Sequence, residues 1–345
     1  MYAESFSLIV RDDNSFFERM ENTMIYLLFP NLDPGICSFF GIMTAYVLTC
    51  VLLHFCSRFL PKDGGRDFAV DGKLSQGKPR GAGFVFILVF AAGVLLFVPF
   101  EKEILIYIIL TVAAMLTGFL DDCSKSPWGE YKKGILDFII SVMIAVTYVS
   151  FHGSTLYFAV FQGQVELPKW LYIVLATILV WVSINVTNCA DGVDGLSATL
   201  TIVTLLSFYF IGPVTKLASD YRLMILVLVA CLLGYLWYNA TPSLMMMGDA
   251  GSRAMGLFIA IIALQCGCAL LYIPLALVLI LDGGLGLLKV SLLRFLKIKI
   301  LTKVRTPLHD HARKNLGWSN TQTVFKFAIL QIILSFAVAC LITNL

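Results

Sequence analysis

Ten apolar stretches run almost end to end through this chain, and they fix the solvent in which it folds. They lie near 36–60, 82–100, 103–120, 135–151, 170–187, 196–212, 222–239, 252–267, 270–293 and 324–343. About 20 apolar residues in a helix cross a hydrocarbon core of roughly 30 Å, so each stretch reads as a span. The boundary between the eighth and ninth is soft. Inside hydrocarbon every backbone polar group must find an internal partner, which selects helices. Composition agrees: 59% of residues are hydrophobic and 14% are charged, whereas a soluble domain carries about 25% charge. The prediction is an all-α polytopic membrane protein, one integral-membrane domain over residues 1–345.

The loops orient it. Residues 61–81 carry Lys62, Arg66, Lys73, Lys78 and Arg80, residues 121–134 carry Lys125, Lys132 and Lys133, and residues 294–323 carry seven Lys and Arg. The alternate loops hold only Lys102, Lys169, Lys216 and Arg222. The positive-inside rule therefore places the first set in the cytoplasm and both termini outside, with residues 1–35 as an external segment. No basic stretch followed by a cleavage site opens the chain, so a signal peptide is not predicted. A net charge of +3 is too small to point to nucleic acid, and no nucleic-acid partner is expected. The nine cysteines show no metal-type spacing and read as packing residues. Residues 153–168 have β-formers around a Gln-Gly turn and predict a short external hairpin.

Three aspartate clusters sit at the ends of spans on the predicted cytoplasmic side. Charge beside hydrocarbon is costly and marks function. Asp121 and Asp122 close the third stretch, with Lys125 one helical turn on. This pattern suits either a metal- or proton-binding carboxylate beside a phosphate-binding lysine, or a solvated helix end with a surface ion pair. Asn185, Asn188 and Asp191 recur every three residues, and Asp194 follows between glycines. Such a polar stripe calls for partners, from a phosphate–metal complex or nucleotide, or from a network between helices. Asn239 and then Asp249, set between Gly248 and Ala250-Gly251, precede the eighth span. Asp249 reads as a hard oxygen ligand suited to Mg²⁺, as an N-cap with Ser252 as its rival, or as both. His309 and His311 flank Asp310 in the last basic loop; their spacing is poor for zinc and suits an anionic ligand or anionic lipid. The basic, Gly-rich residues 77–84 either touch phosphate or start a helix.

Taken in order, Asp121-Asp122-x-x-Lys125, the block from Asn185 to Leu196, Asn239 through Gly256, and Thr306-Pro307-Leu308-His309 with Gly317-Trp318 resemble the polyprenyl-phosphate N-acetylhexosamine-1-phosphate transferase family. The resemblance covers roughly residues 36–343 and is strongest to the muramoyl-pentapeptide branch. It implies ten transmembrane helices around a cytoplasmic-facing active-site cleft in a bacterial cytoplasmic membrane, in a homodimer. It implies Mg²⁺-dependent transfer of a sugar-1-phosphate from a UDP-sugar, here UDP-MurNAc-pentapeptide, to undecaprenyl phosphate. By the same resemblance Asp249 is the metal ligand. Asp121, with Asp122 beside it, activates the lipid phosphate, and His309 contacts the substrate phosphate or sugar. The substrate-binding set is Lys125, Lys132, Asn185, Asn188, Asp191, Asp194, Asn239, Met246 and His311, with residues 294–323 as the substrate loop.

Two positions depart from the branch pattern. Its three consecutive histidines are His309-Asp310-His311 here, and its aromatic residue three before the metal aspartate is Met246. A sibling activity on UDP-N-acetylglucosamine or another hexosamine for teichoic acid or O-antigen is the alternative reading. A cation-coupled transporter is the third, disfavoured because its carboxylates belong near mid-membrane.

Overall fold

The computed structural model describes residues 23–29, 32–65, 75–124, 126, 128–161, 163–215 and 217–343. Lys125, Arg66, Lys73, Lys216, the Gln162 of the hairpin turn and most of the N-terminal segment lie outside the described residues.

The protein is an all-α membrane bundle. Its main helices are α1 (Pro34–Cys56), α2 (Ala82–Phe97), α3 (Lys102–Asp122), α4 (Glu130–His152), α5 (Lys169–Cys189), α6 (Leu196–Ile211), α7 (Ser219–Asn239), α8 (Gly248–Gln265), α9 (Leu277–Ser291), α10 (Leu308–Lys314) and α11 (Asn320–Thr343). Each predicted span coincides with a helix or helix pair. Among the described residues, seven helices are long and apolar enough to cross a membrane, or eight if the pair Ala269–Leu275 and Leu277–Leu296, bent by 87°, is one span. The count differs from ten for physical reasons. Helix α2 has only 16 residues, and α8 opens on the polar run Gly-Asp-Ala-Gly-Ser-Arg.

Helix α8 is the axis of the bundle. All of its residues are buried, packed by α2, α3, α5 and α6. Close approach needs small residues. A Cβ on Gly118 of α3 would lie 2.4 Å from the Asp249 carbonyl, and one on Gly83 of α2 would lie 2.0 Å from the Gly251 nitrogen. These contacts bring the ends of α2 and α3 directly onto the first turn of α8.

The predicted hairpin forms as strands β1 (Thr155–Phe158) and β2 (Gly163–Glu166), antiparallel, with Thr155 opposite Glu166. It follows α4 at the end of the bundle away from the aspartates. There Glu103 is buried among polar partners: it accepts from Tyr107 Oη at 2.7 Å and Gln265 Nε2 at 2.7 Å, and His152 Nε2 lies 2.9 Å away. This network joins α3, α4 and α8 at the far end. The nine cysteines carry free thiols.

Candidate active site

The site assembles where the last turn of α3 meets the first turns of α4 and α8. The α8 N-terminus has no cap from its own chain segment; neither Asp249 nor Ser252 supplies one. The cap comes from α3. Asp122 Oδ1 accepts the Asp249 amide at 3.2 Å and Asp122 Oδ2 accepts the Ala250 amide at 3.1 Å. First-turn amides are orphan donors at the positive end of the helix dipole, so a carboxylate there is favourable. Ser252 Oγ instead donates to Gly248 O at 3.0 Å and takes the Asn188 amide at 2.9 Å.

With its amide tied back to α3, Asp249 turns its carboxylate toward two cations. Lys133 Nζ of α4 lies 3.0 Å from Asp249 Oδ2 and also contacts Asp121 Oδ2. Arg80 Nη2 lies 3.5 Å from Asp249 Oδ1, and Arg80 Nε is 2.9 Å from Asp122 Oδ1. Asp121 Oδ1 accepts the Trp128 amide at 2.7 Å. The strand-like segment before α2 holds Arg80 in place: its amide donates to Pro61 O at 2.8 Å, and Met246 N donates to Pro79 O at 2.8 Å. Burial works against the charge on Arg80, but Asp122, Asp249 and Asp63 outweigh it and hold the guanidinium above its ordinary pKa.

A cavity of about 470 Å³ opens beside this cluster. Its wall includes Asp249, Arg80, Asn188, Asp191, Asp194, Asn239 and Met246, with Lys78 and Arg313. Two side chains shape that wall from behind. Asn239 Oδ1 accepts the Gly195 amide at 2.7 Å, and Asp194 Oδ2 accepts the Ser243 amide at 3.1 Å.

The expected residues are therefore sorted. Asp191, Asp194, Asn188, Asn239, Met246 and Asp249 reach the cavity. Asp121 and Asp122 stand behind Asp249, off the wall. Asn185 does not join: its amide turns back to Trp181 O at 2.8 Å. Lys132 does not join the cluster: its Nζ sits 3.2 Å over the Trp128 ring, while Lys133 enters it. Neighbouring residues on a helix point about 100° apart, and one of the two lysines must face away. His311 also stays outside; its Nδ1 accepts the Arg305 amide at 3.3 Å, and Arg313 of α10 reaches the cavity in its place.

His309 is buried, with its ring wedged against Gly192, where a Cβ would come within 2.2 Å of Nε2. Behind it, Asp282 of α9 takes the His309 amide at 2.7 Å on Oδ1 and lies 2.8 Å from Nδ1 through Oδ2. Asp282 is fully buried. Sequence reasoning missed it, although a lone carboxylate inside an apolar run was a readable signal. The pair fixes the loop that carries Asp191 and Asp194.

Among the described residues, no three His, Cys, Asp or Glu side chains form a ligand cage. Mg²⁺ does not require one: it uses one or two carboxylates, water and substrate phosphates. Asp249 offers a hard oxygen pair at the cavity wall that suits that donor set, but Lys133 and Arg80 engage both oxygens and would compete with an ion for them.

Comparison with known proteins matches residues 104–267 to the family model Glycosyl transferase family 4. A phospho-N-acetylmuramoyl-pentapeptide-transferase of Treponema pallidum subsp. pallidum is 41% identical over 309 residues, spanning 84% of this chain and 85% of the relative. The same-named protein of Fervidobacterium nodosum is 32% identical over 73% of this chain and 79% of its own length. That of the Drosophila simulans Wolbachia is 26% identical over 74% and 82%. With identity at this level across most of both chains, the chain belongs to the phospho-N-acetylmuramoyl-pentapeptide-transferase family.

Proposed function

We propose that this protein transfers phospho-N-acetylmuramoyl-pentapeptide from its UDP conjugate to undecaprenyl phosphate, releasing UMP and forming lipid I for peptidoglycan synthesis. It is a multi-pass protein of the bacterial inner membrane. The observation that carries the reading is the convergence of Asp121, Asp249, Lys133 and Arg80 beside a cavity walled by Asn188, Asp191 and Asp194. The described basic residues Lys62, Lys78, Arg80 and Lys133 lie at this same end, which supports a cytoplasmic-facing site. Family resemblance adds a homodimer as the working unit.

In the reaction an oxygen of the lipid phosphate attacks the sugar-linked phosphorus, and the bond to UMP breaks. Both reactants are anionic, so the barrier is largely electrostatic and positional. Lys133 and Arg80 supply fixed positive charge against the phosphates. Asp121 and Asp122 hold those cations and the α8 amides in place, and Asp191 and Asp194 face the nucleotide side. His309, braced by Asp282, sets the loop that carries them. Asp249 is the residue that would hold Mg²⁺. When bound, the ion neutralises charge on the pyrophosphate.

Met246 and the His309-Asp310-His311 run favour one second reading, transfer of N-acetylglucosamine-1-phosphate. The test is UMP release by purified protein with undecaprenyl phosphate, Mg²⁺ and both UDP-sugars in competition. Turnover of the muramoyl-pentapeptide donor is expected; UMP from UDP-N-acetylglucosamine alone would establish the second reading.

A further inference from the structure

Directly below the Lys133–Asp249 contact lies a second pair of charges that the proposed chemistry leaves unused. Arg253 stands one turn after Asp249 on α8, and Asp137 stands one turn after Lys133 on α4. Residues four apart share a helix face. The two helices thus present a ladder of two rungs with opposite polarity. In the upper rung α4 gives the cation and α8 the anion; in the lower rung α8 gives the cation and α4 the anion. Arg253 Nη2 lies 2.6 Å from Asp137 Oδ2, and the side chains are 3% and 1% exposed. The same Nη2 also donates to the main-chain oxygen of Lys133 at 3.2 Å.

A sealed ion pair is weak evidence for stability, because desolvation offsets most of the attraction. Charges within a membrane bundle are costly and call for another reason to exist. That reason is in the geometry. Lys133 has to reach two carboxylates from two different helices, Asp121 on α3 and Asp249 on α8. Its reach depends on the rotation and height of the first turn of α4. Arg253 grips that turn twice, through the Asp137 carboxylate and through the carbonyl of Lys133 itself.

We propose that Arg253 and Asp137 are positioning residues that lock α4 against α8 so that the Lys133 ammonium sits between Asp121 and Asp249. The inference rests on the transferase reading of the site. It makes the rate depend on a pair that touches no substrate. Because an alternating ladder is specific in polarity, α4 cannot slide by one turn without setting like charges opposite each other.

The test is a kinetic cycle on the full-length protein in detergent, read as UMP release. The variants are Lys133→Met, the neutral pair Arg253→Met with Asp137→Leu, and all three together. Replacing a buried pair by apolar side chains leaves no lone charge, so the fold is expected to survive; gel filtration checks this. With rates normalised to the protein that elutes as a single folded gel-filtration peak, the neutral pair should lower kcat at least about tenfold with KM for both substrates within about twofold. In the triple variant the rate should equal that of Lys133→Met alone, because the pair acts through that lysine. Multiplicative losses in the triple variant, or full kcat in the neutral pair, would overturn the proposal. Full activity in Lys133→Met would refute the reading of the lysine on which it rests. Should the neutral pair aggregate, Arg253→Lys carries the same criteria, since the shorter ammonium cannot hold both Asp137 and the Lys133 carbonyl.

Discussion

Replacing Lys133 with Met removes one charge while keeping an unbranched stem of similar length. The ammonium stands 3.0 Å from Asp249 Oδ2 and closer still to Asp121. At an effective dielectric near 20, Coulomb attraction over 3.0 Å is roughly 5 kcal/mol. The side chain is 27% exposed, and desolvation offsets much of this, so each charge-assisted hydrogen bond contributes about 1.5–3 kcal/mol net. The folded state retains substitutes: Asp121 keeps the Trp128 amide, and Asp249 keeps Arg80 at 3.5 Å. In the proposed reaction Lys133 and Arg80 together supply the fixed positive charge, and the substitution removes one of the two. Loss of one preorganised donor costs about 10²–10³ in kcat, or roughly 2.7–4 kcal/mol. Initial rates of UMP release at saturating substrates, normalised to protein that elutes as a single gel-filtration peak, measure this. A kcat within about threefold of the parent would refute the assignment of Lys133 to the reaction.

Asp249→Asn should abolish turnover at every Mg²⁺ concentration while the protein still folds; near-native turnover would remove Asp249 from the metal role. Met246→Ala should raise KM for the UDP-sugar less than about tenfold, since a thioether–aromatic contact is worth about 0.3–1.5 kcal/mol and the main-chain bonds of Met246 persist. A larger rise would mean that Met246 carries most of the nucleobase contact. Asp282→Asn should lower kcat, because it replaces a charged acceptor of the His309 amide and ring by a neutral one, a hydrogen bond worth about 1.5–3 kcal/mol. Activity unchanged in Asp282→Asn would show that the buried pair has no part in shaping the Asp191–Asp194 loop.

Legibility in the sequence followed the range of the interaction. Span positions were readable because hydrocarbon imposes a length and a composition on each segment independently. The hairpin after α4 was readable because a turn between β-formers is a local signal. The aspartates were readable as a group because charge at a span end is conspicuous wherever the helices later pack. Which face of a helix end looks inward was not readable. Lys132 and Lys133 are equivalent as text, and only the docking of α4 against α8 decides between them. Asn185 fits the three-residue ridge but is turned to its own helix, since α5 shows the cavity only its last turn. Asp122 read as a reactive neighbour of Asp121, yet its two oxygens cap α8, a partner 127 positions further along the chain.

The sequence alone thus determined the solvent, the helical class and the chemical inventory: carboxylates, lysines and amides at span ends, with family motifs in order. Tertiary structure decided the pairing. It buried α8 on every side, set the 87° bend before α9, joined Asp282 to His309 and Arg253 to Asp137, and placed Lys133 between two aspartates. The physical reason is that burial energy depends on the amount of apolar surface, which composition records. A charge–charge contact depends on angstroms and on helix rotation, which exist only once the helices pack.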